Sequence, residues 1–547
     1  MHTRHLEFFP ARVSKTLTIP ETTIYDNLVM TAKKYPEKIA IEYYGGSYTY
    51  EQVLKEVEHL AGYLERTLKV KQEENVLLLM QNSPQFLIGF YAILRIRAVV
   101  VPINPMSTTD DLAFFVKDCG IKTALVGAEL YDKIASLRET QQLAQLLIAS
   151  YGDYVDATKS IGTLPPETKR SHKEGAFGVT WKEAMAKEEH PAHYEGKSGD
   201  VAVIPYTSGT TGLPKGCVHT NKTVQANIVG AYHWMNVTAD AVSLTSLPLF
   251  HVTGLVHSAL SPIYAGSTIV LLTRWDRAYA AQAVERYHCS HWINISTMLI
   301  DFLANPKLSE VDISSLQIVG GGGAPLPEAV GKQLFERTGL HYVEGYGLSE
   351  TMSHTHFNPP DRPKLQCLGI PSFGMDARIL SPGTDEELDV GEEGELVVNG
   401  PQVFTGYYHR EDENAASHIE IQGKRFFRTG DIVRMDEEGY FFMVDRLKRM
   451  INAAGYKVWP TEVETILYKH PAVQQACVVR FPDEKRGETV KALIILHDEF
   501  KGKTTKSELI DWSKQQMAAY KHPRIIEFRD KFPTTMSGKI LWRELQE

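Results

Sequence analysis

Apolar residues in the first hundred positions follow two different periods. Val53, Val57, Leu60, Leu64 and Leu68 recur every three or four residues, which puts them on one face and predicts a helix. Residues 76–80 form an unbroken apolar run instead, short enough for a strand buried on both faces. A helix from about Pro84 and a strand over 98–101 would complete a βαβ unit. The longest apolar stretch, 86–103, is interrupted by Arg95 and Arg97, so it reads as a buried helix running into a strand rather than a bilayer span. The rhythm returns at 201–204, 267–272 and 316–319, and predicts α/β layers whose sheets are largely covered by helices.

Beyond about residue 370 the texture changes. Gly383, Gly391, Gly394, Gly400 and Gly406 punctuate short apolar runs such as 396–398, the pattern of a compact β-rich subdomain. A second change comes near Asp445. Thr461 and Glu464, just after Pro460, have the form of a helix-capping box; strands are expected over 476–479 and 492–496, and a helix over 506–520. The expected fold is therefore α/β: a large N-terminal domain (1–445) of α/β layers plus the β-rich subdomain, then a small mobile α+β domain (446–547).

Composition narrows the class. A chain of 547 residues, 43% hydrophobic and 23% charged, matches soluble globular proteins of more than one domain. The net charge of -9 is spread along the chain, and no basic stripe is available to neutralise phosphates, which excludes nucleic acid as a partner. Five cysteines (Cys119, Cys217, Cys289, Cys367, Cys477) lie far apart and read as reduced thiols, with no spacing suited to zinc. Residues 1–13 mix His, Arg and Glu with Phe and lack the apolar core of a signal peptide. The expected location is the cytoplasm, with no transmembrane segment; a homodimer and peripheral membrane contact are both compatible with this.

The densest chemistry lies in residues 206–216, YTSGTTGLPKG, leaving the apolar run 201–204. Glycines let backbone N–H groups approach an anion, Thr207, Ser208, Thr210 and Thr211 add hydroxyls, and Lys215 adds a compact charge. The string predicts a phosphate-binding loop, and it is not a Walker loop, since no Gly-x-x-x-x-Gly-Lys-Ser/Thr fits. Five further strings follow in order: PLFHVTG at 248–254, GGGGAPLP at 320–327, EGYGLSET at 344–351, FRTGD at 427–431 followed by VDRLK at 444–448, and PTTMSGK at 533–539.

In this order the strings resemble the adenylate-forming superfamily of acyl- and aryl-coenzyme A synthetases, beetle luciferases and peptide-synthetase adenylation domains. The resemblance covers the chain from about residue 30 to its end. It implies that Thr207, Ser208, Gly209, Thr210, Thr211, Gly212 and Lys215 hold ATP phosphates. Gly322, Gly323 and Ala324 border the adenine, Tyr346 stacks on it beside Gly347, Thr351 contacts the α-phosphate and Glu350 ligates Mg²⁺. His251 stands beside the substrate carboxylate, while Asp431 and Arg446 take the ribose. Lys448 is the hinge between the two domains, and Gly455 and Tyr456 lie against the coenzyme A arm. Lys539 bridges the carboxylate and the α-phosphate as the catalytic group. His354 and His356, two residues apart, read as pocket wall or surface rather than a metal pair.

The implied reaction makes an acyl-adenylate and pyrophosphate from a carboxylic acid and ATP, then passes the acyl group to coenzyme A. The substrate is expected to be a medium- or long-chain fatty acid. The alternatives are an aryl ligase of the benzoate or cinnamate type and a stand-alone enzyme that loads a carrier protein. The 248–254 region lacks the aspartate that amino acid-activating members tend to carry. Asn452 stands where luciferases carry a second lysine, and Trp542 replaces a usual basic residue although Arg543 follows.

Overall fold

Strand Asn75–Leu79, helix Pro84–Arg95 and strand Val99–Pro102 form the predicted βαβ unit, with Asn75 opposite Val99 in a parallel pair. Ser83 caps the helix by accepting from Phe86 N, and Pro84 occupies the first turn, where an N–H is not needed. Every residue of this helix is buried. Arg95 is tolerated there because its Nε pairs with Glu58 at 2.8 Å.

The computed structural model describes residues 3–139, 143–172, 177–207, 213–453, 456–483, 486–534 and 540–546. The chain forms two compact units: one of His5–Asp376 and Asn399–His418, the other of Met1–Arg4, Ala377–Val398 and Ile419–Glu547.

The first unit holds two large sheets. One runs in the order Ile370–Pro371, Ser353–Phe357, Tyr342–Leu348, Ile318–Gly322, His291–Asn294, Val242–Thr245, Thr268–Leu271, Ile39–Tyr43 and Gly46–Thr49. From Tyr342–Leu348 to Ile39–Tyr43 its strands are parallel, and the outer pairings are antiparallel. The other runs Gly406–Tyr407, Lys215–Thr220, Val201–Val203, Val99–Pro102, Asn75–Leu79, Thr123–Gly127, Gln145–Ala149 and Val179–Thr180, with Tyr206–Thr207 added against Lys215–Thr220. Helices Tyr50–Gly62, Pro84–Arg95 and Asn221–Trp234 feed one apolar core shared by both sheets. Val53, Val57, Leu60 and Leu64 are buried in it and Leu68 packs at its margin, as their spacing predicts.

The second unit carries two antiparallel-rich sheets. Strands Asp376–Leu380, Glu393–Asn399, Lys424–Met435 and His418–Ile421 make one, with Phe441–Arg446 beside Lys424–Met435. Tyr456–Val458, Ile451–Ala453, Gly487–Leu496 and Val473–Asp483 make the other, with Ile525–Phe528 parallel to Gly487–Leu496. Helices Pro460–Leu467 and Lys506–Gln516 cover it. The architecture is α/β with a smaller α+β C-terminal region, as the sequence indicates.

One local expectation fails, and another loses one of its two alternatives. Thr461 is not a helix cap: the helix starts at Pro460, whose fixed φ suits the first turn, and Asp445 Oδ2 accepts from Thr461 N at 2.7 Å instead. Glu464 is turned away to Arg449 and to Val478 N. Of the two alternatives for His354 and His356, the surface one is excluded and the pocket wall stays open: all of Ser353–Phe357 is buried, and His354 stacks on Phe357 with centroids 4.1 Å apart. No helix among the described residues is long and apolar enough to cross a membrane. All five cysteines are buried, and none is paired in a disulfide.

Candidate active site

Strand Lys215–Thr220 organises the site. Lys215 pairs opposite Thr207, so the loop opening after Thr207 closes on a fixed ladder; Cys217 pairs opposite Tyr407 and His219 opposite Val203. Tyr206 OH donates to Asp118 Oδ2 at 2.6 Å, and Arg410 grips the other oxygen of that carboxylate. The root of the loop is thereby tied to helix Thr109–Asp118 as well as to the sheet.

The ammonium of Lys215 lies 4.9 Å from the centroid of the Tyr407 ring and 3.8 Å from Glu413 Oε1. The Tyr407 hydroxyl donates to Glu350 Oε1 at 2.8 Å. Glu350 belongs to the tight turn Ser349–Thr351, which three tethers hold. His219 Nε2 is 2.7 Å from Ser349 O, Asn227 Nδ2 donates to Thr351 O at 2.6 Å, and Phe404 N donates to Glu350 O at 2.8 Å. A carbonyl only accepts, so His219 carries its proton on Nε2. Complete burial pushes its pKa down to about 4, and the ring is neutral. Thr351 is fully buried, its hydroxyl accepting from Leu348 N at 3.0 Å and donating to Ser353 O at 2.8 Å.

Gly322 ends strand Ile318–Gly322, and its glycine predecessors answer first to strand packing: a Cβ on Gly321 would lie 1.8 Å from Asn294 O. Gly323 turns the chain at φ +88° into open space. Ala324 O accepts from Ser296 Oγ at 3.0 Å. Leu326 N and Gln366 N both donate to Glu344 Oε1, at 3.3 and 3.1 Å. Burial pushes this carboxyl up to about 7. The Tyr346 ring is half-buried, with its centroid 5.9 Å from that of His356. A Cβ on Gly347 would lie 1.5 Å from Ser353 O, so the chain can pass there only without a side chain. His251 is exposed at the N-cap of helix Val252–Leu255, where its ring accepts from Thr253 N at 3.3 Å.

In the second unit Asp431 and Arg446 face each other across adjacent strands, and Arg446 Nε lies 3.0 Å from Asp431 Oδ1. Asp431 is 1% exposed and Arg446 31%. Lys448 is exposed on the turn Leu447–Arg449. Its neighbour Arg449 is partly buried and paired with Glu464 and Asp445. Tyr456 is exposed and stacks on Tyr520 with centroids 4.7 Å apart. Ser208, Gly209, Thr210, Thr211, Gly212, Gly455 and Lys539 lie outside the described residues.

The AMP-binding enzyme family matches residues 28–408, and the AMP-binding enzyme C-terminal domain matches 462–539. The chain belongs to the AMP-binding enzyme family. It is 34% identical to a long-chain-fatty-acid–CoA ligase of Bacillus subtilis (strain 168), over 98% of this chain and 97% of that protein. A feruloyl-CoA synthase of Amycolatopsis sp. is 31% identical over 95% and 97% of the two chains. Among solved structures, the anthranilate CoA ligase AuaEII in complex with anthranoyl-AMP superposes with a TM-score of 0.79 at 25% identity, covering 97% of each chain. This AMP-binding enzyme is accordingly an AMP-forming CoA ligase that works through an acyl-adenylate, with ATP and coenzyme A as substrates.

Sequence reasoning missed Tyr407, Asp118, Arg410 and His219. His219 carried a signal, since it alternates with Cys217 along a strand and so points inward with it. Tyr407 carried none, because its meaning depends on pairing with a strand far away in the chain.

Proposed function

We propose that this ligase activates a medium- or long-chain fatty acid, releasing pyrophosphate, and transfers the acyl group to coenzyme A with release of AMP. The single observation that carries the ATP half of this reading is the gathering of Lys215, Tyr407 and Glu350. A compact cation and a hard-oxygen ligand both meet one tyrosine there, the cation over its ring and the carboxylate at its hydroxyl. A triphosphate leaving pyrophosphate needs both kinds of group. The fatty acid half rests on similarity along the whole length to the Bacillus subtilis ligase.

The donor set fits Mg²⁺, which takes hard oxygens and few protein carboxylates. Glu350 would hold it, and among the described residues no group of three or more His, Cys, Asp or Glu side chains gathers to form a richer cage. When bound, the ion offsets triphosphate charge. The chain's own residues do the remainder. Thr207, Lys215 and the 208–212 segment bind phosphates, while Gly322, Gly323, Ala324, Tyr346 and Gly347 border the adenine. Asp431 and Arg446 orient the ribose, held in a fixed relation by their ion pair. Thr351, locked into its turn, keeps Glu350 in place and presents the turn to the α-phosphate. His251 stands at the acyl carboxylate. Lys539 holds the attacking oxygen in line and stabilises charge building on the α-phosphorus.

The functional division is taken as 1–445 and 446–547, with Lys448 as the pivot that withdraws Lys539 and brings Gly455 and Tyr456 to the coenzyme A arm. The cytoplasm is the proposed location. An aryl acid is the second reading, favoured by the match to a feruloyl-CoA synthase. Single-turnover mixtures of enzyme, Mg-ATP and either palmitate or ferulate, without coenzyme A, decide between them. Palmitoyl-adenylate should accumulate; feruloyl-adenylate alone would replace the fatty acid reading with the aryl one.

A further inference from the structure

Two oppositely charged groups assigned to the same triphosphate, Lys215 and Glu350, invite a problem: left alone they attract each other and close the place the nucleotide must enter. The structure puts Tyr407 in contact with both. Its ring faces the Lys215 ammonium at 4.9 Å and its hydroxyl donates to Glu350 Oε1 at 2.8 Å. Its backbone is held on both sides. Tyr407 N donates to Asn414 Oδ1 at 2.6 Å, Asn414 Nδ2 donates to Tyr407 O at 2.9 Å, and the residue pairs opposite Cys217 in the sheet. The flanking Gly406 has φ +152°, and a Cβ there would crowd Asn414 Oδ1 at 2.9 Å. The same short segment is anchored again at Arg410, whose guanidinium holds the Asp118 carboxylate that binds Tyr206 at the root of the loop.

We propose that Tyr407 is a positioning residue that keeps Lys215 and Glu350 apart and aimed, each through a contact that incoming Mg-ATP can replace. A cation over a part-buried ring and a single hydrogen bond to a charged group are each modest contacts. A phosphate or a metal ion can replace each of them, whereas a direct Lys215–Glu350 ion pair would compete with the ligand; the long 3.8 Å approach of Lys215 to Glu413 is the other contact a phosphate displaces. Removing only the hydroxyl takes one hydrogen bond from Glu350 and leaves the ring under Lys215. The defect should then fall on the metal-dependent part of nucleotide binding.

This inference rests on the ATP-site reading, and the experiment separates the two. ATP affinity of the full-length enzyme is titrated calorimetrically with Mg²⁺ and in excess chelator, for wild type, Tyr407→Phe, Glu350→Gln and the double variant. If wild type shows no tighter binding with Mg²⁺, the ATP-site reading itself fails. Given that tightening, Tyr407→Phe is expected to weaken Mg-ATP binding about tenfold, as one charged hydrogen bond allows, while metal-free ATP binds as in wild type. The double variant should bind Mg-ATP no more weakly than Glu350→Gln alone, because both changes act through one carboxylate. Equal weakening with and without metal, no weakening, or additive effects of the two substitutions would each overturn the proposal. Tyr407→Leu, which also removes the ring, should weaken metal-free binding as well; the phenylalanine variant decides the matter if the leucine variant does not fold.

Discussion

At the scale of single residues, His219 shows how a side chain outside every motif can control one inside. Its neutral ring ties the loop-closing strand to the turn bearing Glu350. Below about pH 6.5 an unfolded histidine takes up a proton that the buried ring refuses until about pH 4. The stability this confers is therefore complete above about pH 6.5 and is lost as the pH falls toward 4. Glu344, pushed up to about 7, acts in the opposite sense and loses stability for the fold as the pH rises toward 7, so the comparison must be between variants. Denaturant melts should show His219→Gln least stable relative to wild type above pH 6.5, by about 1–3 kcal/mol, with the deficit shrinking toward pH 4. A deficit constant across that range contradicts the assignment. Glu350, Tyr346, Asp431 and Arg446 could be singled out in the sequence because local strings mark them. The contacts that hold them could not, since Tyr407 and His219 act through strand pairings that no local pattern encodes.

At the scale of elements, periodicity gave the helices and strands where burial decides the pattern, as in the wholly buried helix Pro84–Arg95. It failed where a tertiary partner took over a local role, as when Asp445 supplied the acceptor that the Thr461–Glu464 pattern promised. The glycine string 320–323 divides in the same way. Gly321 cannot carry a side chain, because a neighbouring backbone carbonyl lies 1.8 Å from where its Cβ would be, whereas Gly323 has space but a left-handed φ. Gly321→Ala should abolish soluble, cooperatively folding protein. Gly323→Ala should fold and lose about 1–2 kcal/mol in a urea melt, the strain of a left-handed alanine. If the two variants behave alike, the strand-packing account of Gly321 is wrong. The turn bearing Lys448 is likewise framed by ion pairs, Arg446 to Asp431 before it and Arg449 to Glu464 after it. These two contacts would give the proposed pivot at Lys448 fixed points on either side.

At the scale of the whole molecule, the order of strands in the sheets was beyond the sequence. The α/β class, the β-rich segment and the α+β C-terminal region were legible from texture, and the reaction from the ordered motifs. Division of labour between the two half-reactions is the main consequence. Lys539→Ala should lower acyl-adenylate formation by at least a hundredfold while sparing thioester formation from supplied acyl-adenylate, read by separate assays of the two steps. Equal loss in both would remove the case for a lysine that serves only the first.

Pyrophosphate release from Mg-ATP, measured across carboxylic acids from acetate to palmitate plus benzoate and cinnamate, with and without coenzyme A, tests the central claim most directly. The account predicts release that depends on the acid, is greatest on a medium- or long-chain aliphatic acid, and is raised by coenzyme A as the acyl group is carried away. Release confined to aromatic acids, release indifferent to coenzyme A, or none at all would contradict a fatty acyl-CoA ligase.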